Sequence, residues 1–195
     1  MLVLASGSPR RSQILTELGI AFAVDRPGVA EDRIPGEPPE TAASRIAAAK
    51  AQEVVRRRPG SWVLAADTLV FCAGEILGKP RDAGEAKTML RSLAGRRHRV
   101  VTAIQLQRDA SIGTSIAWST VQFSPLSEEE IDWYVATGEP LDKAGAYGVQ
   151  GLGARFVEAI SGSYTNVMGL PAREVYRLMR AAGDPALGSL ALSSR

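Results

Sequence analysis

Thiols, imidazoles and aromatic rings are scarce in this 195-residue chain, which has one cysteine, one histidine and only 6% Phe, Trp and Tyr. A lone Cys72 excludes an internal disulfide framework and any cysteine-cluster zinc site, and a lone His98 argues against a histidine-rich metal centre. Long apolar runs are missing too: none approaches the ~20 residues of a membrane span. The N-terminus opens on a strand pattern with no basic stretch before it, so the reading is a soluble, cytoplasmic protein with no membrane partner. Excess charge is also lacking. A formal net charge of +2 does not announce a nucleic-acid binder, although local basic clusters can still hold a small anion. What the chain has is apolar content, 45% of residues, enough at this length to bury a core in one substantial domain or in two lobes sharing a cleft.

The first stretch carries the strongest signal. Leu2 to Ala5 reads as a strand, Ser6-Gly7-Ser8-Pro9 as a tight turn, and Arg10-Arg11 with Ile14, Leu15 and Leu18 as a helix start. Ser8 suits an N-cap whose hydroxyl satisfies free backbone N–H groups, Pro9 suits the first helical position, and Gly19 suits the close of the helix. Free N–H groups at such an end attract anions, and arginine forks match phosphate oxygens. The segment therefore reads as a polyphosphate site, or else as an ordinary βα unit with solvated arginines. It lacks the glycine spacing of a P-loop or of a dinucleotide fold.

Ala21 to Val24 predicts a second strand, and Asp25 to Pro39 a long polar loop of the kind that often carries function. A helix over about Glu40 to Arg58 sets Ala43, Ile46, Ala47 and Val54 on one face, with Lys50 in the middle of it. Either the Lys50 ammonium snorkels to water or it points into a cleft. Trp62 to Ala66 reads as a buried strand, interrupted by Asp67-Thr68 before Leu69-Val70-Phe71 resumes. A carboxylate in an apolar strand is costly unless paired, which makes Asp67 a functional candidate; capping of a nearby turn is the structural alternative. Gly74 turns a hairpin that brings Lys79 back toward the same region.

Asp82 with Glu85, and Ser127 with Glu130, open two further helices, with antiparallel strands near His98 to Gln107 and Ile112 to Phe123 between them. His98 stands among Arg96, Arg97 and Arg99, a cluster that reads as solvated and carries no catalytic role. Asp142 to Gly151 has too many glycines for a helix and too much apolar content for a linker. It reads as a turn or as a substrate-facing loop in which Tyr147 or Gln150 meets a base. A strand at Ala154 to Ile160 leads to Ser161 to Asn166, a second candidate anion nest, and then to a last helix from Pro171 to Ala182.

Residues Ala5 to Arg11, Ala66-Asp67-Thr68, Gly78-Lys79-Pro80, Ala144 to Gly151 and Ser161 to Pro171 together resemble the Maf family of nucleoside triphosphate pyrophosphatases, also called septum formation inhibitors. The resemblance runs in family order from Leu2 to about Met179. It implies an α/β fold with a mixed β-sheet, flanking helices and two lobes around a central cleft, similar to inosine triphosphate pyrophosphatases, with residues 1–182 as the domain and 183–195 as a tail. It also implies a divalent cation, Mg2+ or Mn2+, and a homodimer.

By the same resemblance Asp67 is the proton acceptor, and Ser8, Arg10, Arg11, Lys50 and Lys79 surround the phosphates. Glu31 would hold the metal, an assignment resting only on its place in the loop before the Lys50 helix. Arg10, Thr68 and Gln150 match the branch that acts on dTTP and UTP; another branch prefers 7-methyl-GTP. The chemistry implied is attack of water on the α-phosphorus, giving a nucleoside monophosphate and pyrophosphate. Two other readings use the same residues: a purine-selective inosine or xanthosine triphosphate pyrophosphatase, and a non-catalytic nucleotide sensor in cell division.

Overall fold

A computed structural model describes residues 1–32 and 34–183. Beyond Gly183 the expected tail lies outside the described residues. Strands β1 (Leu2–Ala5), β2 (Phe22–Val24), β3 (Trp62–Cys72), β4 (Glu75–Leu77), β5 (Arg97–Arg108), β6 (Ser111–Phe123) and β7 (Val157–Ser161) form one mixed sheet. Its order is β2-β1-β3-β5-β6-β7, with β4 attached to β3. The helices are α1 (Pro9–Glu17), α2 (Pro39–Arg57), α3 (Ala83–Leu93), α4 (Glu128–Ala136), α5 (Tyr164–Met168) and α6 (Ala172–Ala182). Among the described residues no helix is long and apolar enough to cross a membrane.

Strand β3 organises the site. On one edge it pairs antiparallel with β5 from Val63 to Phe71. On the other edge β1 runs parallel to it only as far as Ala5 opposite Ala65, and β4 joins antiparallel only from Leu77 opposite Val70. Residues 66–69 are left without a strand neighbour on that edge. The break is where chemistry can enter an otherwise continuous ladder.

Side chains alternate across a strand, so β3 serves two faces. Val63, Ala65 and Leu69 pack toward the helix α2, with Ala51 and Val54 near one end and Ala43 and Ala47 near the other. Asp67 belongs to this face. Leu64 and Ala66 enter a core built with Ile14, Leu15 and Val175, whereas Val70 and Cys72 enter a separate core with Leu90, Leu93, Ile131, Tyr134 and Phe123. Thr68 falls between those two cores. Both cores are seated on one sheet.

Local chemistry sets most element ends. Gly19 at φ 69° closes α1, its N–H reaching the Thr16 carbonyl and that of Ile20 the Leu15 carbonyl, a Schellman end. Ser127 and Glu130 cap α4 reciprocally, whereas Asp82 caps α3 through the Glu85 N–H while the Glu85 carboxylate turns to Arg81. Two expectations change. The segment before β7 is a short 3₁₀ turn, Gly151–Phe156, because Gly151 and Gly153 break an extended path; and Ser163 at the end of the supposed anion nest caps α5 through the Asn166 N–H.

Candidate functional site

A cavity of about 400 Å³ opens at the break in the β3 edge. That is room for a small organic ligand. Its lining includes residues 5–11 from the end of β1, Glu31, Lys50, Asp67, Thr68, Lys79 and the 142–144 and 147–149 segments. Eight of the nine residues singled out from the sequence thus meet in one place: Ser8, Arg10, Arg11, Glu31, Lys50, Asp67, Thr68 and Lys79. Gln150 does not; it is half-buried one residue beyond Val149, which does line the cavity.

On the α2 face, Lys50 is 5% exposed and its ammonium points into the cleft, not out to water. Its Nζ lies 2.7 Å from Asp67 Oδ1 and 2.7 Å from Glu31 Oε1. Asp67 Oδ2 is buried and has no hydrogen-bond partner. Burial pushes the Asp67 carboxyl above its usual range, against the attraction of Lys50 and Arg11. Glu31, more open, is also raised by desolvation, but Lys50, Lys79 and Arg11 together pull it below its ordinary value. Lys79 is mostly exposed, its Nζ 3.8 Å from Glu31 Oε2.

The other face holds Arg11. Its Nε donates to the Gly169 carbonyl (2.8 Å), Nη1 to Ser6 Oγ (3.2 Å) and Nη2 to Thr68 Oγ1 (3.1 Å). Thr68 Oγ1 also lies 3.0 Å from Thr102 Oγ1, and Thr102 donates to the Asn166 carbonyl. Three of the guanidinium's five N–H groups therefore bind protein, leaving two for a ligand. Desolvation lowers the Arg11 pKa, with Asp67 and Glu31 opposing; a guanidinium still keeps its charge. Arg10 is less committed, 3.9 Å from Asp142 Oδ2.

Several expectations are corrected. Ser8 occupies the N-cap position of α1 but its side chain makes no capping bond; instead its N–H donates to Ser6 Oγ at 3.1 Å, so the turn closes on itself. His98 is not solvated. It is 2% exposed, its Nε2 lies 2.8 Å from the Tyr147 hydroxyl, its Nδ1 is unpartnered, and burial lowers its pKa to about 4. The alternation of β5 places it on the same inward face as Val100 and Thr102, a signal masked by the arginines around it. Tyr147 lines the cavity yet is almost wholly buried, which suits a wall better than a ring free to stack. Ser6 and Asn166 were not singled out individually from the sequence, nor were Asp142 and Lys143 within their loop; short polar side chains show their role only when the far end of the chain arrives.

No group of three or more His, Cys, Asp or Glu able to hold a metal exists among the described residues. The donors still fit a hard divalent cation. Mg2+ is commonly held by one or two carboxylates together with substrate phosphates, and here two carboxylates converge on one ammonium while one buried oxygen is unpartnered.

The cleft of this α/β protein sets arginine and lysine donors around a desolvated carboxylate, an arrangement suited to a polyanionic ligand. This chain belongs to the Maf-like protein family, whose model matches residues 1–182. It is 52% identical over 189 residues to a protein of Anaeromyxobacter dehalogenans named dTTP/UTP pyrophosphatase, covering 94% of this chain and 95% of that one. A protein of the same name from Thermus thermophilus is 47% identical over 182 residues, covering 93% and 95%. Among solved structures, the Staphylococcus aureus Ham1 protein aligns at 13% identity with a TM-score of 0.46, covering 94% of this chain and 99% of that one.

Proposed function

We propose that this protein hydrolyses nucleoside triphosphates, dTTP and UTP foremost, to the nucleoside monophosphate and pyrophosphate. The observation that carries the reading is Asp67: a buried carboxylate, held by Lys50 through one oxygen, with its other oxygen unpartnered beside the cavity. That oxygen can accept a proton from water as the water oxygen bonds to the α-phosphorus and the bond to the bridging oxygen of pyrophosphate breaks. The raised carboxyl pKa brings Asp67 closer to the range of a useful base.

Charge then builds on the leaving pyrophosphate. Arg10, the two uncommitted N–H groups of Arg11, Lys50 and the exposed Lys79 are the donors that would meet it, and Ser8 at the head of α1 adds a hydroxyl. Glu31 would hold a divalent cation together with the substrate phosphates; when bound, such a cation neutralises phosphate charge and orients the anhydride. Arg10 and Thr68 border the site as expected of specificity residues, while Gln150 would need to move to reach a base. A cytoplasmic homodimer belongs to the same reading, and light scattering tests the assembly.

A pyrophosphate-release assay over dTTP, UTP, CTP, GTP, ITP and 7-methyl-GTP, with Mg2+, Mn2+ or chelator, tests the proposal. Preferred release from dTTP and UTP is expected, with loss of turnover in chelator. Preference for ITP or for 7-methyl-GTP would overturn the substrate assignment, and binding without release would point to the sensor.

A further inference from the structure

Between α4 and β7 the chain folds into a compact series of short 3₁₀ turns, and one carboxylate holds it together. Glu139 Oε1 accepts from the Tyr134 hydroxyl (2.9 Å) and the Gly153 N–H (3.1 Å), and Oε2 accepts from the Leu152 N–H (2.9 Å). The Tyr134 oxygen in turn accepts from the Gly148 N–H at 3.1 Å. The Glu139 backbone carbonyl takes a fourth contact, from Lys143 Nζ at 2.6 Å. Desolvation would raise the Glu139 carboxyl, yet the two backbone N–H groups and Tyr134 bring it below its ordinary value, so it stays ionised and accepting.

The packing leaves no slack. A Cβ on Gly153 would stand 2.5 Å from the Tyr134 hydroxyl and 2.6 Å from the Gly148 carbonyl, and one on Gly151, at φ 73°, would stand 2.8 Å from Glu139 Oε2. These glycines allow the backbone to wrap the carboxylate. Glu139 itself does not line the cavity; Tyr147, Gly148 and Val149 do. Those lining residues carry no formal charge, unlike the arginine and lysine part of the wall. Phosphates are held by cations, whereas a base is read by apolar contact and a few fixed polar groups. The 147–149 segment has the second composition.

We infer that Glu139 is a positioning residue for nucleobase selection, acting through the Tyr134 hydroxyl and the Leu152 and Gly153 N–H groups to fix the backbone that presents Gly148 and Val149 to the cavity. The inference rests on the nucleotide reading above and assigns the part of that site which discriminates bases.

Glu139→Gln keeps the size but sets an NH2 group against donors, and Tyr134→Phe leaves the Gly148 N–H without its acceptor. For both variants the ratio of kcat/KM for dTTP to that for GTP should fall about 10-fold, carried mainly by KM for dTTP. Inhibition by inorganic tripolyphosphate, which has no base, should stay within about 2-fold of wild type, because the phosphate donors lie on other segments. A parallel fall for all nucleotides, or an unchanged ratio, overturns the inference. If Tyr134→Phe fails to fold, the more exposed Glu139→Gln decides alone. If wild type releases no pyrophosphate, the enzymatic reading has failed, and calorimetric binding of dTTP against GTP judges the positioning role separately. Loss of a wild-type binding preference in Glu139→Gln supports it; equal preference, or none in wild type, overturns it.

Discussion

Asp67 and Thr68 are neighbours on β3, yet they look out on opposite chemistries. On the Asp67 face the polar groups are too few: two carboxylates share one ammonium and a buried oxygen goes without a partner. On the Thr68 face they are plentiful around the cavity, with Arg11, Ser6, Thr102 and the Gly169 and Asn166 carbonyls satisfying one another, and the orphan atoms, His98 Nδ1 and Asn166 Oδ1, lie outside that group. An unsatisfied group is poised to react or to bind, whereas a satisfied one holds position. One strand can therefore set a reactive carboxylate and its rigid frame side by side.

The sharpest way to break this contrast is Asp67→Asn. The amide keeps an acceptor for Lys50 and removes the basic oxygen, so kcat should fall at least about 100-fold. Because the Asp67 carboxyl is raised in the folded state, its ionisation opposes folding above the ordinary carboxylate pKa; the variant should melt no earlier than wild type at pH 7. Retention of a tenth of the turnover would remove Asp67 from the proton-transfer role.

Next come the two lysines. Lys50→Ala leaves Asp67 buried beside Glu31 without the ammonium bonded to both, Arg11 acting only at longer range, so it should cost stability, about 3 kcal/mol, as well as activity. Lys79→Ala, at a mostly exposed position, should leave the melting temperature unchanged while lowering kcat/KM. Comparing the two quantities for each variant separates them; equal thermal effects would contradict the difference in burial.

His98 lies on the Thr68 face and tests whether that face is quiet in acid. The unfolded chain binds a proton at this residue near pH 6.5, the folded protein only near 4. Above pH 6.5 both forms are neutral; as pH falls from 6.5 toward 4 the unfolded form gains the proton first, so stability declines by up to about 3 kcal/mol. His98→Gln should flatten that decline in chemical-denaturation curves taken between pH 7 and 4.5. An unaltered slope would assign the loss to other groups.

The smallest effect is expected at Thr68→Val, which removes the hydroxyl shared by Arg11 and Thr102. A loss of about 1–2 kcal/mol in stability is expected, measured by denaturant midpoint, with turnover reduced less than in Asp67→Asn. A larger catalytic loss than at Asp67 would reverse the roles of the two faces.

Much of this was legible in the residues because local physics dictates it. Alternation along Trp62 to Cys72 gave the strand and the anomaly of Asp67; the 3.6-residue period set Lys50 on an apolar face; glycine and serine marked most helix ends. Glu31 came only through family likeness, since a carboxylate in a polar loop carries no pattern. His98 was hidden by neighbouring charges, and Ser8 was given a capping bond that its side chain does not make. Glu139 had no signal at all: its partners, Tyr134, Leu152 and Gly153, are joined to it by loop geometry that no periodicity encodes.

The break in the β3 edge also bears on how the protein avoids unwanted association. Open strand edges invite other chains to pair with them. Here the unpaired stretch covers only residues 66–69 and is bounded by β1 running parallel and β4 running antiparallel. No single strand can extend one ladder into the other without reversing direction, so the opening cannot zip shut, and it is too short to seat a foreign strand of ordinary length. The topology leaves a four-residue window in the β3 edge, sized for a small ligand.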